Sequence, residues 1–289
     1  MVTTCREPHG TDRSRTTSSR RRSAGPAGLR RTVGFRSIAQ AVASTTLLAS
    51  VLMCSPRPLY AQGGPPLLTD DPGTPGDDMW ETNIGFTIEK VEGETLYEAP
   101  LLDVNYGLGE RIQLKYELPW VFLDEEGGGV ENGLGNSLIG LKYRFLDEDR
   151  HGVSMSSYPQ FSFENPTSSD EKGLVAPGIE LVLPFQIAWS SGPIELGLEL
   201  GYSLIEHEED EWIYGLAAAS PLTEHFALLG EVHGVATRDL DDDVLVFNLG
   251  SAVALNEHAS LLFSAGRSLR EPSTTEPELL MYMGLQLVF

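Results

Sequence analysis

The chain has 289 residues, of which 41% are hydrophobic, enough for one large domain or two small ones. Its mean hydropathy is −0.13, and residues 62–289 contain no apolar run long enough for a membrane-spanning helix. Ten of the 20 Lys and Arg residues but only two of the 42 Asp and Glu residues lie in residues 1–61, so residues 62–289 carry a formal charge of 10 − 40 = −30. Because a body this acidic repels phosphate backbones, nucleic acid is excluded as a partner.

Residues 1–61 are predicted to be a signal segment that directs export and is then removed. Arginines between Arg20 and Arg36 form a basic region, and the apolar stretch Ile38 to Met53 follows it. The sequence Leu59-Tyr60-Ala61 before Gln62 is the predicted cleavage site. A retained anchor is the alternative, disfavoured because the apolar stretch is short.

Both cysteines, Cys5 and Cys54, lie in this segment. Lipidation at Cys54 is an alternative that Met53 before it disfavours. Without the segment the chain has no thiol, which excludes disulfides, thiolate metal sites and cysteine nucleophiles. We therefore expect no cofactor and no metal.

Residues 62–77 are rich in Pro, Gly and Asp and are predicted to form an irregular segment in the periplasm. Whether this segment closes the mouth of the domain that follows is left open by the sequence.

Residues 78–289 repeat one pattern twelve times, an alternating segment followed by a polar or glycine-rich break. Alternation with a period of two places successive side chains on opposite faces of a strand. The seventh segment is the clearest, because Ile194, Leu196, Leu198 and Leu200 alternate with polar residues and glycine. The apolar faces start near Trp80, Leu102, Ile112, Ile139, Phe161, Ile179, Ile194, Trp212, Phe226, Leu245, Leu261 and Leu279.

The two faces favour a membrane barrel over a soluble lipocalin-like β-barrel. The polar face is rich in Gly, Ser and Asn, and several apolar faces run for ten residues or more, close to the ~9–11 residues that a tilted strand needs to cross a bilayer. Tyr and Trp residues stand near the ends of many apolar faces, as in the aromatic girdles of outer-membrane proteins. The predicted fold is all-β, a twelve-stranded antiparallel transmembrane β-barrel of the outer membrane.

The breaks alternate in length along the chain. Breaks after even-numbered strands are compact, whereas those after strands 3, 5 and 11 are longer: Asp124 to Gly133, Asn165 to Ala176 and Arg270 to Pro277. Short turns on the periplasmic side and longer loops outside are typical of outer-membrane barrels. An even number of strands places the N- and C-termini of the barrel domain on the same side, that of the short turns.

The last strand carries the residues of a membrane-insertion signal. Phe289, Leu287 and Leu285 share one face at the end of the chain. This arrangement resembles the recognition signal of Gram-negative outer-membrane barrels, which implies the barrel-assembly machinery and the outer-membrane bilayer as partners.

Longer stretches resemble one family. The runs NGLGNSLIGLKYRFLDED, PQFSFENPTSSDEKGL and PFQIAWSSGPIELGLELGYSL, together with Leu67 to Phe86, are similar to the family labelled putative MetA-pathway of phenol degradation. The resemblance covers nearly all of the chain after residue 61 and implies an outer-membrane transporter. Its motifs are strand and turn patterns, so it implies no catalytic residue.

Charged residues on the polar faces are candidates for lining the lumen. Charges in such a space must pair or stay hydrated. They therefore form either a hydrated constriction or a salt-bridged closure, and the acidic excess predicts cation preference in an open pore. The candidates are Lys115, Glu117, Lys142, Arg144, Glu180, Glu195, Glu199, Glu231 and His233.

The function expected from these features is a channel or passive transporter for small molecules, hydrophobic or aromatic solutes included, without enzymatic activity. A lumen-blocked structural or surface-binding barrel is the first alternative. The second is a barrel hydrolase, since His258 and Ser260 share one strand face as a Ser-His pair requires. Their predicted position at a periplasmic turn disfavours it.

Overall fold

A computed structural model describes residues 64–240 and 243–289, so the predicted signal segment at residues 1–61 lies outside the described residues. Within the described ranges, no helix is long and apolar enough to span a membrane.

Twelve antiparallel strands form one closed barrel, as predicted. Each strand pairs with the next along the chain, and the last pairs with the first. A four-residue helix, Glu148–His151, and a 3₁₀ turn, Asp170–Lys172, lie in connections. The strands are β1 Trp80–Val91, β2 Glu94–Leu108, β3 Ile112–Glu125, β4 Val130–Leu134 with Ser137–Leu146, β5 Ser154–Ser157 with Gln160–Phe163, β6 Ile179–Val182 with Phe185–Ser191, β7 Ile194–Ile205, β8 Glu211–Thr223, β9 Phe226–Thr237, β10 Asp243–Asn256, β11 Ala259–Ser268 and β12 Leu279–Val288.

The barrel closes where β12 meets β1. The backbones of Trp80 and Phe289 exchange two hydrogen bonds here, of 2.7 and 3.0 Å. The ring of Tyr282 covers Gly85 and Gly284, where an added Cβ would stand 3.0 and 2.4 Å from its atoms. Glycine at both positions therefore gives the tyrosine room to lie along the inner wall.

Two strands are interrupted by proline. β5 breaks at Pro159 and β6 at Pro184, because proline has no N–H to give to the ladder. Carbonyl oxygens of both prolines still accept from neighbouring strands, at 3.0 Å from the amide of Leu141 and 3.1 Å from that of Tyr158. The wall therefore stays joined across both breaks.

Most large apolar side chains of the strands face outward and most polar ones inward, as the alternation predicts. In β7, Leu198 and Leu200 are 41% and 57% exposed, whereas Glu199 between them is 8% exposed. The same inversion appears in β10, where Phe247 and Leu249 are exposed and Asn248 is buried. An apolar exterior around a polar interior is the arrangement of a membrane barrel.

Connections differ in length between the two ends of the barrel. One end carries short turns such as 109–111 and 192–193, and the other carries the connections 164–178 and 269–278. The break predicted from Asp124 to Gly133 is mostly strand, because Asp124 pairs with Val130 and the turn is reduced to 126–129. Backbone hydrogen bonds between strands need no apolar side chains where both faces of the hairpin are in water. The hairpin of β3 and β4 therefore extends beyond the residues that show apolar alternation.

Candidate functional site

A segment ahead of the first strand lies inside the barrel. We call residues 64–71 the lumen segment. It is folded into a tight turn, since the amide of Gly64 donates to the carbonyl oxygen of Thr69 and that of Leu67 to Gly64, both at 2.9 Å. Thr69 is fully buried, and Leu67 and Pro72 are nearly so. Residues 64–79 contain no helix or strand, and the lumen segment lies in the middle of the lumen.

Two wall carboxylates hold the backbone of the lumen segment. Glu231 on β9 accepts the amides of Leu68 and Thr69, at 2.9 and 2.7 Å. Glu199 on β7 accepts the amide of Asp70 at 3.0 Å. Hydrogen bonds to a charged acceptor contribute about 1.5–3 kcal/mol each, so these three contacts are a principal attachment of the segment.

One lysine binds the acidic end of the segment from the opposite wall. The Nζ atom of Lys142 on β4 lies 2.9 Å from Oδ1 of Asp70 and 2.7 Å from the carbonyl oxygen of Asp71. It also lies 4.6 Å from the ring centre of Tyr158. Because Lys142 is buried, these partners compensate for the water that its ammonium group has lost.

An apolar pocket receives the single buried leucine of the segment. The side chain of Leu67 belongs to a cluster of inner-face residues, four of which are alanine. Small side chains leave room at the wall, so the leucine fills space that bulkier residues would occupy. The other members are Leu101, Ala217, Ala219, Ala227, Leu229, Ala252, Leu262 and Tyr282.

Residues after Asp71 lead the chain out of the lumen at the short-turn end. Thr74 donates to the carbonyl oxygen of Glu110 at 2.9 Å, and Asp77 accepts the amide of Gly109 at 2.9 Å. Both partners belong to the turn between β2 and β3. The lumen segment is therefore connected to β1 through the short-turn mouth.

A second polar network lines β1 to β4 beside the segment. Lys115 lies 2.7 Å from Glu117 and 3.5 Å from Asp103. Asp103 also accepts from the amides of Asn83 and Asn105, at 3.3 and 3.0 Å. The hydrogen-bonded residues of this network all lie on the wall.

The other sequence candidates lie nearer the two ends. Arg144 contacts the carbonyl oxygen of Glu110 at 2.6 Å at the short-turn rim, and Glu195 lies near the same end. Glu180 accepts a short hydrogen bond from Ser203 towards the long-loop end. His233 lies deeper, with Nδ1 3.5 Å from Oγ1 of Thr69. The structure thus brings Lys142, Glu199, Glu231 and His233 together around the segment and pairs Lys115 with Glu117. Glu195 lines a small gap beside Leu67, Asp70 and Asp71, whereas Arg144 and Glu180 lie apart from the segment.

Sequence reasoning did not select the residues of the segment itself. Thr69, Asp70 and Asp71 make most of the contacts with Glu231, Glu199 and Lys142, and Ser264 donates to the carbonyl oxygen of Pro66 at 2.6 Å. The stretch that carries the family resemblance, starting at Leu67, contains the first three. That is the signal that could have identified them.

The segment divides the lumen into unequal spaces. On its long-loop side is a chamber of about 390 Å³ between apolar residues such as Leu96 and Leu280 and the carboxylates of Glu89, Glu98 and Glu117. Beside it, towards the short-turn end, only about 40 Å³ remains, lined by polar residues such as Asp103 and Lys142. A gap of this size holds a few water molecules.

Charged side chains join the connection 269–278 to the start of β10. Arg270, in the connection 269–278, lies 2.5 Å from Oδ1 of Asp243 and 3.4 Å from Oε1 of Glu276. The hydrogen bond with Asp243 raises the pKa of the Arg270 guanidinium. The loop therefore stays anchored to β10 by a permanent cation.

His258 and Ser260 form no hydrogen bond with each other among the contacts of the described residues. Nδ1 of His258 lies 3.0 Å from the carbonyl oxygen of Val288, and its Nε2 lies 3.6 Å from Glu257. The histidine thus contacts the turn and the end of β12. At that end, Phe289 is exposed and Leu285 and Leu287 are half-buried.

Comparison with known proteins gives a family and a fold. A family model described as "Putative MetA-pathway of phenol degradation" matches residues 69–278. The COG4313 outer membrane channel from Pseudomonas putida F1 is similar over 79% of this chain and 100% of that chain, with a TM-score of 0.63 and 12% identity. The KdgM porin in complex with disordered oligogalacturonate is similar over 72% and 99%, with a TM-score of 0.51 and 9% identity. No curated protein matches the sequence.

Proposed function

The chain belongs to the family described as "Putative MetA-pathway of phenol degradation", and from this membership we propose that it is a non-enzymatic outer-membrane channel for small molecules, gated by its own lumen segment. The observation that carries the proposal is the docking of residues 64–71 across the middle of a closed barrel. The solute passes when this segment leaves its wall contacts.

The chamber supports a small organic solute. Its volume of about 390 Å³ lies within the range of small-molecule sites, about 300–1,000 Å³. Its walls combine apolar side chains with five carboxylates and the ammonium group of Lys115, an acidic excess that favours molecules with an apolar body over anions. Aromatic compounds are the first to test, because the family description names phenol degradation.

The orientation proposed for the barrel puts the short turns and the segment's connection to β1 in the periplasm. Short periplasmic turns are general in outer-membrane barrels. Arg144 and Glu195 would then line the periplasmic mouth and Glu180 the outer mouth, with the remaining candidates between them. The predicted cleavage after Ala61 would leave a short N-terminus, Gln62 and Gly63, ahead of the lumen segment.

The test is conductance of the purified protein in planar bilayers before and after deletion of residues 64–71. We expect rare, small openings in the full chain and a large, steady conductance after deletion, with phenol and other small aromatic compounds reducing the ion current. Unheated gel migration verifies that the deletion variant is a folded barrel.

A lumen-blocked structural barrel is the second candidate, favoured by the same occlusion. It predicts that a folded deletion variant conducts no more than the full chain. That result would refute the channel and leave the structural role.

A further inference from the structure

The lumen segment contacts the wall as a bound peptide does. Its backbone supplies three N–H groups to wall carboxylates, and the carbonyl oxygens of Pro66 and Asp71 accept from Ser264 and Lys142. Apart from contacts within the segment and the hydrogen bond from the amide of Gly73 to Asp71, these contacts join it to strands that are distant in sequence. None of these interactions uses the covalent link to β1.

Two side chains of the segment give the site specificity. Leu67 enters the alanine-lined pocket, and the Asp70 carboxylate lies on the ammonium group of Lys142. Side-chain pockets that flank a set of main-chain hydrogen bonds are the usual basis of peptide recognition. The spacing sets a rule, an apolar residue followed three positions later by a carboxylate.

The wall groups need a partner when the segment is absent. Glu231 and Lys142 are among the most deeply buried charges of the barrel. Without the segment, Glu231 keeps the side-chain amide of Asn248 but loses two backbone donors, and Lys142 loses the oxygens of Asp70 and Asp71. Lost partners are costly for buried charges, so an emptied site favours a ligand that supplies both N–H groups and a carboxylate. Free peptide N–H groups and a carboxylate meet that need together.

We propose that the inner wall around Glu199, Glu231 and Lys142 is a binding site for short acidic peptides, which the chain's own lumen segment occupies. The site takes a free peptide with an apolar residue and a carboxylate in the spacing of Leu67 and Asp70. The inference deepens the proposed function, since such a peptide would close a channel whose own segment has been removed.

The tether sets the concentration at which a free peptide competes. Residues 72–79 join the segment to β1, and an extended chain spans at most about 3.3–3.6 Å per residue, so an undocked segment stays close to the mouth. Short flexible tethers give effective concentrations on the order of millimolar. A free peptide therefore binds the deletion variant well and the full chain poorly.

The experiment uses a fluorescently labelled peptide with the sequence of residues 64–71, GPPLLTDD, and the deletion variant in detergent. Fluorescence anisotropy is expected to show saturable binding below about 1 mM for the deletion variant and at least about tenfold weaker binding for the full chain. Matched peptides carrying Leu67→Ser or Asp70→Asn are expected to bind about tenfold or more weakly, since each loses one recognised group. The same peptide added to a bilayer is expected to block the deletion variant's current.

Three results would overturn the peptide site. One is no saturable binding to a deletion variant that migrates as a folded barrel. The second is equal affinity of the matched peptides, and the third is equal binding to the full chain. If deletion prevents folding, the full chain with Leu67→Ser and Asp70→Asn takes its place, because both changes weaken the internal occupant alone. Peptide binding without any conductance would refute the channel and keep the site, whereas conductance without peptide binding would do the reverse.

Discussion

Replacing Gly215 of β8 with alanine is expected to displace the lumen segment. The new Cβ would stand 2.3 Å from Oγ1 of Thr69, 2.8 Å from its Cγ2 and 3.0 Å from its Cβ. Relief needs a shift of about 1 Å, given that non-bonded carbon contacts are comfortable at about 3.5–4.0 Å. Thr69 is fully buried against the wall, so it can move only away from β8.

A shift of that size breaks the attachment to Glu231. The hydrogen bond from Thr69 starts at 2.7 Å, and N–H···O bonds extend to about 3.2 Å. Losing it together with the bond from Leu68 costs about 3–6 kcal/mol, at about 1.5–3 kcal/mol each. Since about 1.4 kcal/mol is a factor of ten, the ratio of docked to undocked segment falls by about two to four orders of magnitude.

Single-channel recording measures this as the fraction of time spent open. The control is Gly197→Ala on the inner face of neighbouring β7, where an added Cβ meets nothing nearer than 3.8 Å. Adding Thr69→Gly to Gly215→Ala removes all three close atoms and should restore closure. If Gly215→Ala opens the channel no more often than Gly197→Ala, the segment does not close the lumen in the membrane.

Three further outcomes follow from the same structure. Glu231→Gln, which keeps the side-chain shape but replaces one acceptor oxygen with a donor, should raise the open fraction by about ten- to a hundredfold in bilayer recordings; an unchanged open fraction would show that Glu231 is not a docking group. The acidic excess should make the open deletion variant cation-selective, and a reversal potential of the anion sign in a KCl gradient would contradict this. Leu200→Arg on the outer face should cost about 2–4 kcal/mol of unfolding free energy in lipid vesicles, whereas Leu269→Arg, equally exposed at 57% but in a loop, should cost about 0–1 kcal/mol; equal losses would argue against Leu200 facing lipid.

Alternation in the sequence was sufficient to predict the barrel wall. In β7 the alternation of Leu198, Glu199 and Leu200 distinguishes the outer face from the inner face, because neighbouring side chains along a strand point to opposite faces. The same alternation predicted β12 at the C-terminal end of the chain. The alternation did not predict the strand residues after Asp124, because there the strand continues beyond its apolar residues and no change in the pattern marks where the strand ends.

The site could be predicted only in part. Glu199 and Glu231 were selected because charges on an inner face need partners, and the lumen gives them partners. Those partners are backbone amides at residues 68–70. Because almost every residue has a backbone amide, the sequence does not indicate which ones act as donors. The sequence predicts that Lys142 pairs with acidic residues of the wall. Its partner is instead Asp70, which belongs to a segment without periodicity that is far from Lys142 in sequence.

The docking contacts come from walls that face each other, β4 on one side and β7, β9 and β11 on the other. An open sheet cannot bring these strands within hydrogen-bonding distance of a single eight-residue stretch, so docking waits until β12 has met β1. A newly inserted molecule would therefore be permeable for a moment before it seals itself.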